Sequence, residues 1–200
     1  MGLEPNLRER LIEVATDIFS LKGYASSNLT DVSDLLGVSR GPIYYYFKDK
    51  YGLYKETFDR WETLLRETHG SIIDRKDCTI LDKLGLTISN CLNHCRKYKA
   101  NYFVGLDSLG ELAELNSRYH RLVADLYEAK LAAVEEAMAR GELGRGLDPH
   151  EVVAAVYVVY DGIRIGIDRQ EAPLTADSVP GLIGLLVAAL GEGCKAPSKS

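Results

Sequence analysis

The sequence predicts an all-α protein of two domains, and three observations carry that expectation. Apolar residues recur at helical spacing along most of the 200 residues. The stretch from Thr30 to Lys50, TDVSDLLGVSRGPIYYYFKDK, reads as two short helices around a tight turn. Strand-like alternation and internal repeats are both missing from the pattern. An N-terminal three-helix unit, joined through a shared helix to a larger helical domain, accounts for all three.

Helix one is expected to start at Asn6, with Glu9 three residues on completing a capping box. Leu7, Leu11, Val14, Ala15, Ile18 and Phe19 keep its period, and Lys22-Gly23 ends it. Thr30 is read as the N-cap of the second helix, with Val32, Leu35 and Leu36 as one apolar stripe. Gly37 can take the left-handed conformation that closes that helix. Val38 then plugs the corner, Ser39 caps the third helix, and Pro42 falls in its first turn, where a missing N–H costs nothing. A fourth helix from Asp49 to His69 buries Leu53, Phe58, Trp61 and Leu65. The domain boundary is placed in it, giving residues 1–50 and 51–200, so that the domains share a rigid strut. After Gly70-Ser71 the helical period resumes from Thr79 to Lys97, and a less regular piece holds Gly105 and Gly110. A long helix then spans Ser117 to Ala139. Gly141, Gly144 and Gly146 break the chain. Asp148-Pro149-His150-Glu151 restarts it as N-cap, first-turn proline and third-position acid of a helix reaching Asp168. The last helix covers Ser178 to Leu190, before a tail read as frayed.

Three consecutive tyrosines set the third helix apart. Helix residues step by about 100°, so Tyr44, Tyr45 and Tyr46 cannot share one core. With Ile43 and Phe47, four apart, as the buried edge, Gly41 and Tyr45 point away, Pro42 and Lys48 lie near them, and Tyr44 and Tyr46 flank. A phenol there can donate to a phosphate while its ring packs on sugar, and Lys48 and Lys50 add charge. The structural alternative is an aromatic helix packed on a neighbouring domain.

On these residues the chain resembles the TetR family of bacterial transcriptional repressors. That family's recognition element is matched by Gly37, Val38, Ser39, Ile43, Tyr44, Tyr46, Phe47 and Lys50, and the likeness covers residues 6 to 65. Ser33-Asp34 departs from it, since members usually carry Ile-Ala there. The resemblance implies a homodimeric DNA-binding regulator, most often a repressor released from its operator by a small molecule. DNA contacts are then expected from Thr30, Arg40, Gly41, Pro42, Tyr44, Tyr45, Tyr46 and Lys50. Arg40, Gly41 and Tyr45 are best placed for base edges, and Thr30, Tyr44, Tyr46 and Lys50 for phosphates. The partner is near-palindromic double-stranded operator DNA.

Composition fits this reading. An apolar content of 46% without low-complexity runs is globular, and the net charge of −5 opposes indiscriminate coating of nucleic acid. Between Val38 and Lys50 the only acid is Asp49, against Arg40, Lys48 and Lys50. Neither a signal-type N-terminus nor a membrane-length apolar run is present, so a cytoplasmic location without a membrane partner is expected. Phosphate-loop, metalloprotease and nucleophile-elbow motifs are missing, so the chain is not read as an enzyme and no cofactor or metal is expected.

Three C-terminal constellations remain. Tyr98, Tyr102, Phe103, Tyr127, Tyr157 and Tyr160, with Trp61, suit a pocket for an amphipathic or aromatic effector, and suit ordinary packing too. Cys91, His94 and Cys95 fall within about one turn; core packing is the simplest role, with thiol-redox signalling at Cys91 and Cys95 or a metal site as rivals. The two last helices are apolar on several faces and need a second burial surface. Gly162 and Gly166, one turn apart, with Leu182 and Leu186, are the expected dimer interface. Asp161 and Arg164 interrupt the apolar run and could pair at i, i+3 to fix its register. A helical module whose helix-turn-helix binds protein instead of DNA is the rival from another class.

Overall fold

The computed structural model describes residues 6–98, 110–143 and 146–169, and residues 181–189 except 183 and 187. The side chains of residues 92, 94–98 and 163–169 lie outside that description. The described helices are α1 (Leu7–Ser26), α2 (Leu29–Leu36), α3 (Gly41–Phe47), α4 (Lys50–Ile73), α5 (Ile80–Tyr98), α6 (Ala113–Ala139) and α7 (Pro149–Arg169), with a 3-10 turn at Gly110–Leu112 before α6. The described residues between 181 and 189 are also helical, and no strand occurs among the described residues. No helix among them is long and apolar enough to cross a membrane.

The chain divides into two compact units. One holds Met1–Leu65 and Arg96–Leu122, the other Arg66–Cys95 and Val123–Ser200. The division falls inside α4, α5 and α6. In the first unit, α1 packs against α2 and α3. Leu11, Ala15, Ile18 and Phe19 of α1 meet Val32, Ile43, Phe47, Leu53, Tyr54 and Phe58 in one buried cluster. Leu112 and Leu115 join it, so the start of α6 belongs to this unit. The Tyr54 ring stands edge-on to Phe19 at 4.9 Å and lies 4.8 Å from Tyr24. In the second unit, Ile80, Leu84 and Ile88 of α5 pack with Leu131, Val134 and Ala137 of α6 and Val152, Val153 and Val156 of α7.

Several helix ends differ from the sequence expectation. Asn6 stands at the N-cap of α1 without a side-chain cap bond, so no capping box closes; Glu9 instead takes Arg60 at 3.0 Å. Helix α1 continues to Ser26, but Gly23 breaks its regularity at φ 71° and ψ 167°, a conformation open to glycine. Asn28, and not Thr30, caps α2: its backbone is extended and its Oδ1 accepts from the Thr30 N–H at 3.0 Å. Leu35 leaves the expected stripe and is 71% exposed, because Leu29, Val32 and Ser33 take the inward side. Ser33 is buried with its hydroxyl satisfied by the Thr30 carbonyl at 2.9 Å, which is how a polar residue fits there. Arg40 occupies the N-cap of α3 in place of Ser39, with no side-chain cap bond. Helix α4 runs past Gly70-Ser71 to Ile73.

Other ends follow the expectation. Gly37 is left-handed at φ 65°, and its N–H donates to the Asp34 carbonyl. Thr79 and Asp82 cap α5 reciprocally, through Thr79 N–H to Asp82 Oδ2 at 2.9 Å and Asp82 N–H to Thr79 Oγ1 at 3.2 Å. Gly141, at φ 78°, closes α6, with the Glu142 N–H reaching the Ala137 carbonyl. Asp148 caps α7, accepting from the His150 N–H at 2.8 Å.

Candidate nucleic-acid interface

Helix α3 is anchored by two side chains. Ile43 and Phe47, four residues apart, are both buried in the cluster of the first unit. That choice turns the rest of the helix to solvent: Tyr45 is 74% exposed and Tyr44 50%, while Tyr46 is half-buried with its ring T-shaped against Tyr45 at 5.1 Å. Exposed Arg40 and Gly41 and half-buried Pro42 make the start of the helix. Arg40 and Lys48, both exposed, take part in no ion pair among the described residues. The result is a short helix whose outer surface is phenolic and cationic, fixed to a rigid base.

The helix ends in a tight junction that sequence reasoning missed. Lys48 has φ 70° and ψ −51°, and the Asp49 N–H donates to the Phe47 carbonyl at 2.9 Å, a γ-turn of the rare positive-φ kind. Asp49 then caps α4 through Oδ1 to the Gly52 N–H at 2.7 Å. A Cβ on Gly52 would fall 1.9 Å from the Phe47 carbonyl oxygen, so only glycine lets α4 approach the end of α3. The sequence signal was the glycine itself, one turn into a helix where glycine is otherwise costly.

Lys50 is held differently from the exposed cations. Its ammonium lies 4.4 Å from the centre of the Tyr24 ring and 3.4 Å from the Ala25 carbonyl. Burial pushes its pKa down, with Glu111 opposing. Thr30 is half-buried near the N-terminus of α2, where Lys22 pairs with Asp31 at 2.6 Å and holds that carboxyl below its ordinary pKa. Behind α3, Arg8 lies over the Phe47 ring and pairs with Glu56 at 2.7 Å, and Arg118 of α6 pairs with Asp59 at 2.7 Å. The base of the reading surface is thus cross-braced by ion pairs.

The remaining candidates separate. Trp61 belongs to the first unit, half-buried, its ring stacked on Tyr119 at 6.1 Å. Tyr127, Tyr157 and Tyr160 pack against the cluster of the second unit, with Tyr127 and Tyr157 rings 5.9 Å apart. Tyr102 and Phe103 lie outside the described residues, as do the side chains of Tyr98, His94, Cys95 and Arg164 and the surroundings of Gly166. Cys91 is half-buried and in no disulfide, and no metal-holding group occurs among the described residues. Asp161 is exposed. Gly162 is exposed, with nothing near its Cα face, and Leu182 and Leu186 are half-buried against the unit's own cluster.

Comparisons with known proteins agree with this arrangement. Residues 11–57 match the family model described as bacterial regulatory proteins, tetR family. The HTH-type transcriptional regulator TtgR of Pseudomonas putida is 27% identical over 168 residues, covering 78% of this chain and 77% of that protein. A putative transcriptional regulator from Saccharomonospora viridis, solved in complex with choline, aligns with a TM-score of 0.76 at 16% identity, over 92% of this chain and 97% of its own. The regulator FadR of Bacillus subtilis, solved in complex with stearoyl-CoA, aligns with a TM-score of 0.68 at 20% identity, over 92% of this chain and 98% of its own. With the family's segment lying on α1 to α4 around the exposed tyrosines, the chain belongs to the TetR family of bacterial transcriptional regulators.

Proposed function

We propose that this regulator is a homodimeric repressor that leaves its operator when a small molecule binds residues 51–200, with residues 1–50 reading the DNA. The exposed Tyr44 and Tyr45 on a helix pinned by Ile43 and Phe47, between the exposed cations Arg40 and Lys48, are the observation that carries it. Exposed phenols and cations on a rigid helix suit phosphates and base edges, and a protein core has no use for them. Arg40, Gly41 and Tyr45 are assigned to base edges, and Thr30, Tyr44, Tyr46 and Lys50 to phosphates, with Pro42 starting the helix close to the duplex. Lys50 reaches a phosphate by leaving the Tyr24 ring.

Association is supported by exposed apolar side chains on the last helices. Val158 is 72% exposed and shares a helix face with Gly162, four residues on, and Leu185 is 70% exposed. The interface we propose therefore centres on Val158, Gly162, Gly166 and Leu185, with Leu182 and Leu186 backing it from the protomer's core. Ligand release is supported by relatives solved with choline and stearoyl-CoA.

Selection of bound fragments from genomic DNA tests the reading, with affinity followed against salt. Recovery of a near-palindrome with half-sites about 34–36 Å apart, or a multiple, is expected. Removing Lys50 should lower the salt slope by about one unit per half-site. Failure to enrich any sequence, with no salt-sensitive binding, would favour a protein-binding module instead.

A further inference from the structure

The second unit buries an ammonium to which no described residue gives a carboxylate. Lys130 of α6 is 4% exposed. Its Nζ donates to the Leu126 carbonyl and the Tyr157 hydroxyl, both at 3.2 Å, and lies 4.9 Å from the Tyr157 ring centre. It forms no ion pair among the described residues. His69 of α4 is 5% exposed, and its Nε2 is buried with no hydrogen-bond partner among the described residues. The Lys130 charge acts on this imidazole, and burial and that charge together push its pKa down to about 4. Burial also brings Lys130 down to about 8, which leaves it largely cationic at neutral pH.

Neither group helps the ligand-free protein. A buried cation loses hydration that two neutral acceptors replace only in part, and an unpartnered buried nitrogen carries the full desolvation cost. Apolar residues of similar volume would make the better core. The buried cluster of this unit is apolar and aromatic, with Leu131, Val134, Val156, Tyr127 and Tyr157 in or against it, and Tyr157 is the residue that accepts from Lys130. What the two groups do offer is one positive charge and one open imidazole nitrogen facing a solvent-poor interior.

We propose that Lys130 and His69 form a subsite for the carboxylate of an apolar effector molecule. A single buried cation balances one negative charge, whereas a phosphate monoester brings close to two. The carboxylate takes the missing counter-charge position at Lys130 and accepts from His69, whose Nε2 then carries the ring proton. His69 sits on α4 and Lys130 on α6, and both helices, like α5, have residues in each compact unit, so a ligand held by the two groups touches elements that continue into the DNA-reading unit. This deepens the ligand-released reading and rests on it.

The test uses the full chain and two carboxylate probes, decanoate and benzoate, each beside its neutral counterpart, decanol and benzyl alcohol. Calorimetry and melting temperature are the readouts. At least one carboxylate is expected to bind and raise the melting temperature where its neutral counterpart does not. Lys130→Met should melt at or above the parent without ligand, bind operator as the parent does, and bind the carboxylate about 10-fold or more weaker. Lys130→Gln gives the same comparison if the methionine variant does not fold. His69→Leu should weaken carboxylate binding and spare the neutral probe. Cys91 is the other titratable group acting on Lys130; Cys91→Ser should leave the carboxylate preference intact, and its loss there would overturn the subsite. So would a preference that survives Lys130→Met, or equal binding of both carboxylates and their neutral counterparts by the parent. If the parent binds operator yet shows no carboxylate preference, only the subsite fails. If it binds no DNA at all, the regulator reading fails instead.

Discussion

At the scale of single residues, two positions around α3 have opposite roles. Arg40 stands exposed at the start of the helix, and a guanidinium there can pair with O6 and N7 of guanine. Arg40→Ala is expected to relax base preference at one position per half-site, by roughly 1–3 kcal/mol in a selection assay. A uniform loss over all sequences would move Arg40 to the backbone. Gly52 touches no DNA in this reading, yet it sets where α3 ends. With a Cβ 1.9 Å from the Phe47 carbonyl oxygen, Gly52→Ala must shift backbone. A loss of roughly 1–3 kcal/mol is expected in denaturant unfolding, together with weaker operator binding. Lys48, in its γ-turn, supplies the complement. Replacing it by glycine should be about 1 kcal/mol more stable than replacing it by alanine, because both remove the charge and only glycine removes the strain. Equal stabilities for the two variants would mean that the turn relaxes in solution.

At the scale of elements, α4 carries a pH-sensitive cost. His69 has a folded pKa of about 4 against about 6.5 when unfolded, so the unfolded chain binds the extra proton between these values. Stability is therefore full above about pH 6.5 and declines as pH falls toward 4, by roughly 2–3 kcal/mol in all from this residue. Chemical denaturation at pH 7.5 and 5 should show that slope, and His69→Leu should flatten it. An unchanged slope in the variant would assign the acid sensitivity to other groups. Helix α6 has the other unexpected part. Its start belongs to the first unit through Leu115, Arg118 and Tyr119, while Lys130 and Val134 belong to the second.

At the scale of the whole molecule, association is the property that decides operator geometry. A two-fold dimer presents two copies of α3 to one duplex, which is why a near-palindrome is expected. Gly162→Leu places a bulky side chain where helices are proposed to meet. Sedimentation should find monomers with helicity retained and operator binding lost. A dimer that persists would move the interface away from the Val158 and Gly162 face.

The sequence by itself determined the helical class, the helix-turn-helix and the identity of the outward tyrosines. Those follow from periodicity, from glycine at a left-handed cap and from the 100° step that forbids three adjacent tyrosines one core. The same local logic found Gly37, Gly141 and Asp148 as helix ends, since each acts on backbone groups within a few residues of itself. It chose Thr30 over Asn28 and Ser39 over Arg40 because every one of these residues lies beside a plausible start, and only the folded backbone selects among neighbouring caps. Leu35 went to solvent for a related reason: the inward side of α2 is defined by where α1 stands, not by which residues of α2 are apolar. The contact between Gly52 and Phe47 and the electrostatic influence of Lys130 on His69 were decided by tertiary structure alone. The first needs the closing angle of two helices, and the second links residue 69 to residue 130, a separation no periodicity can bridge.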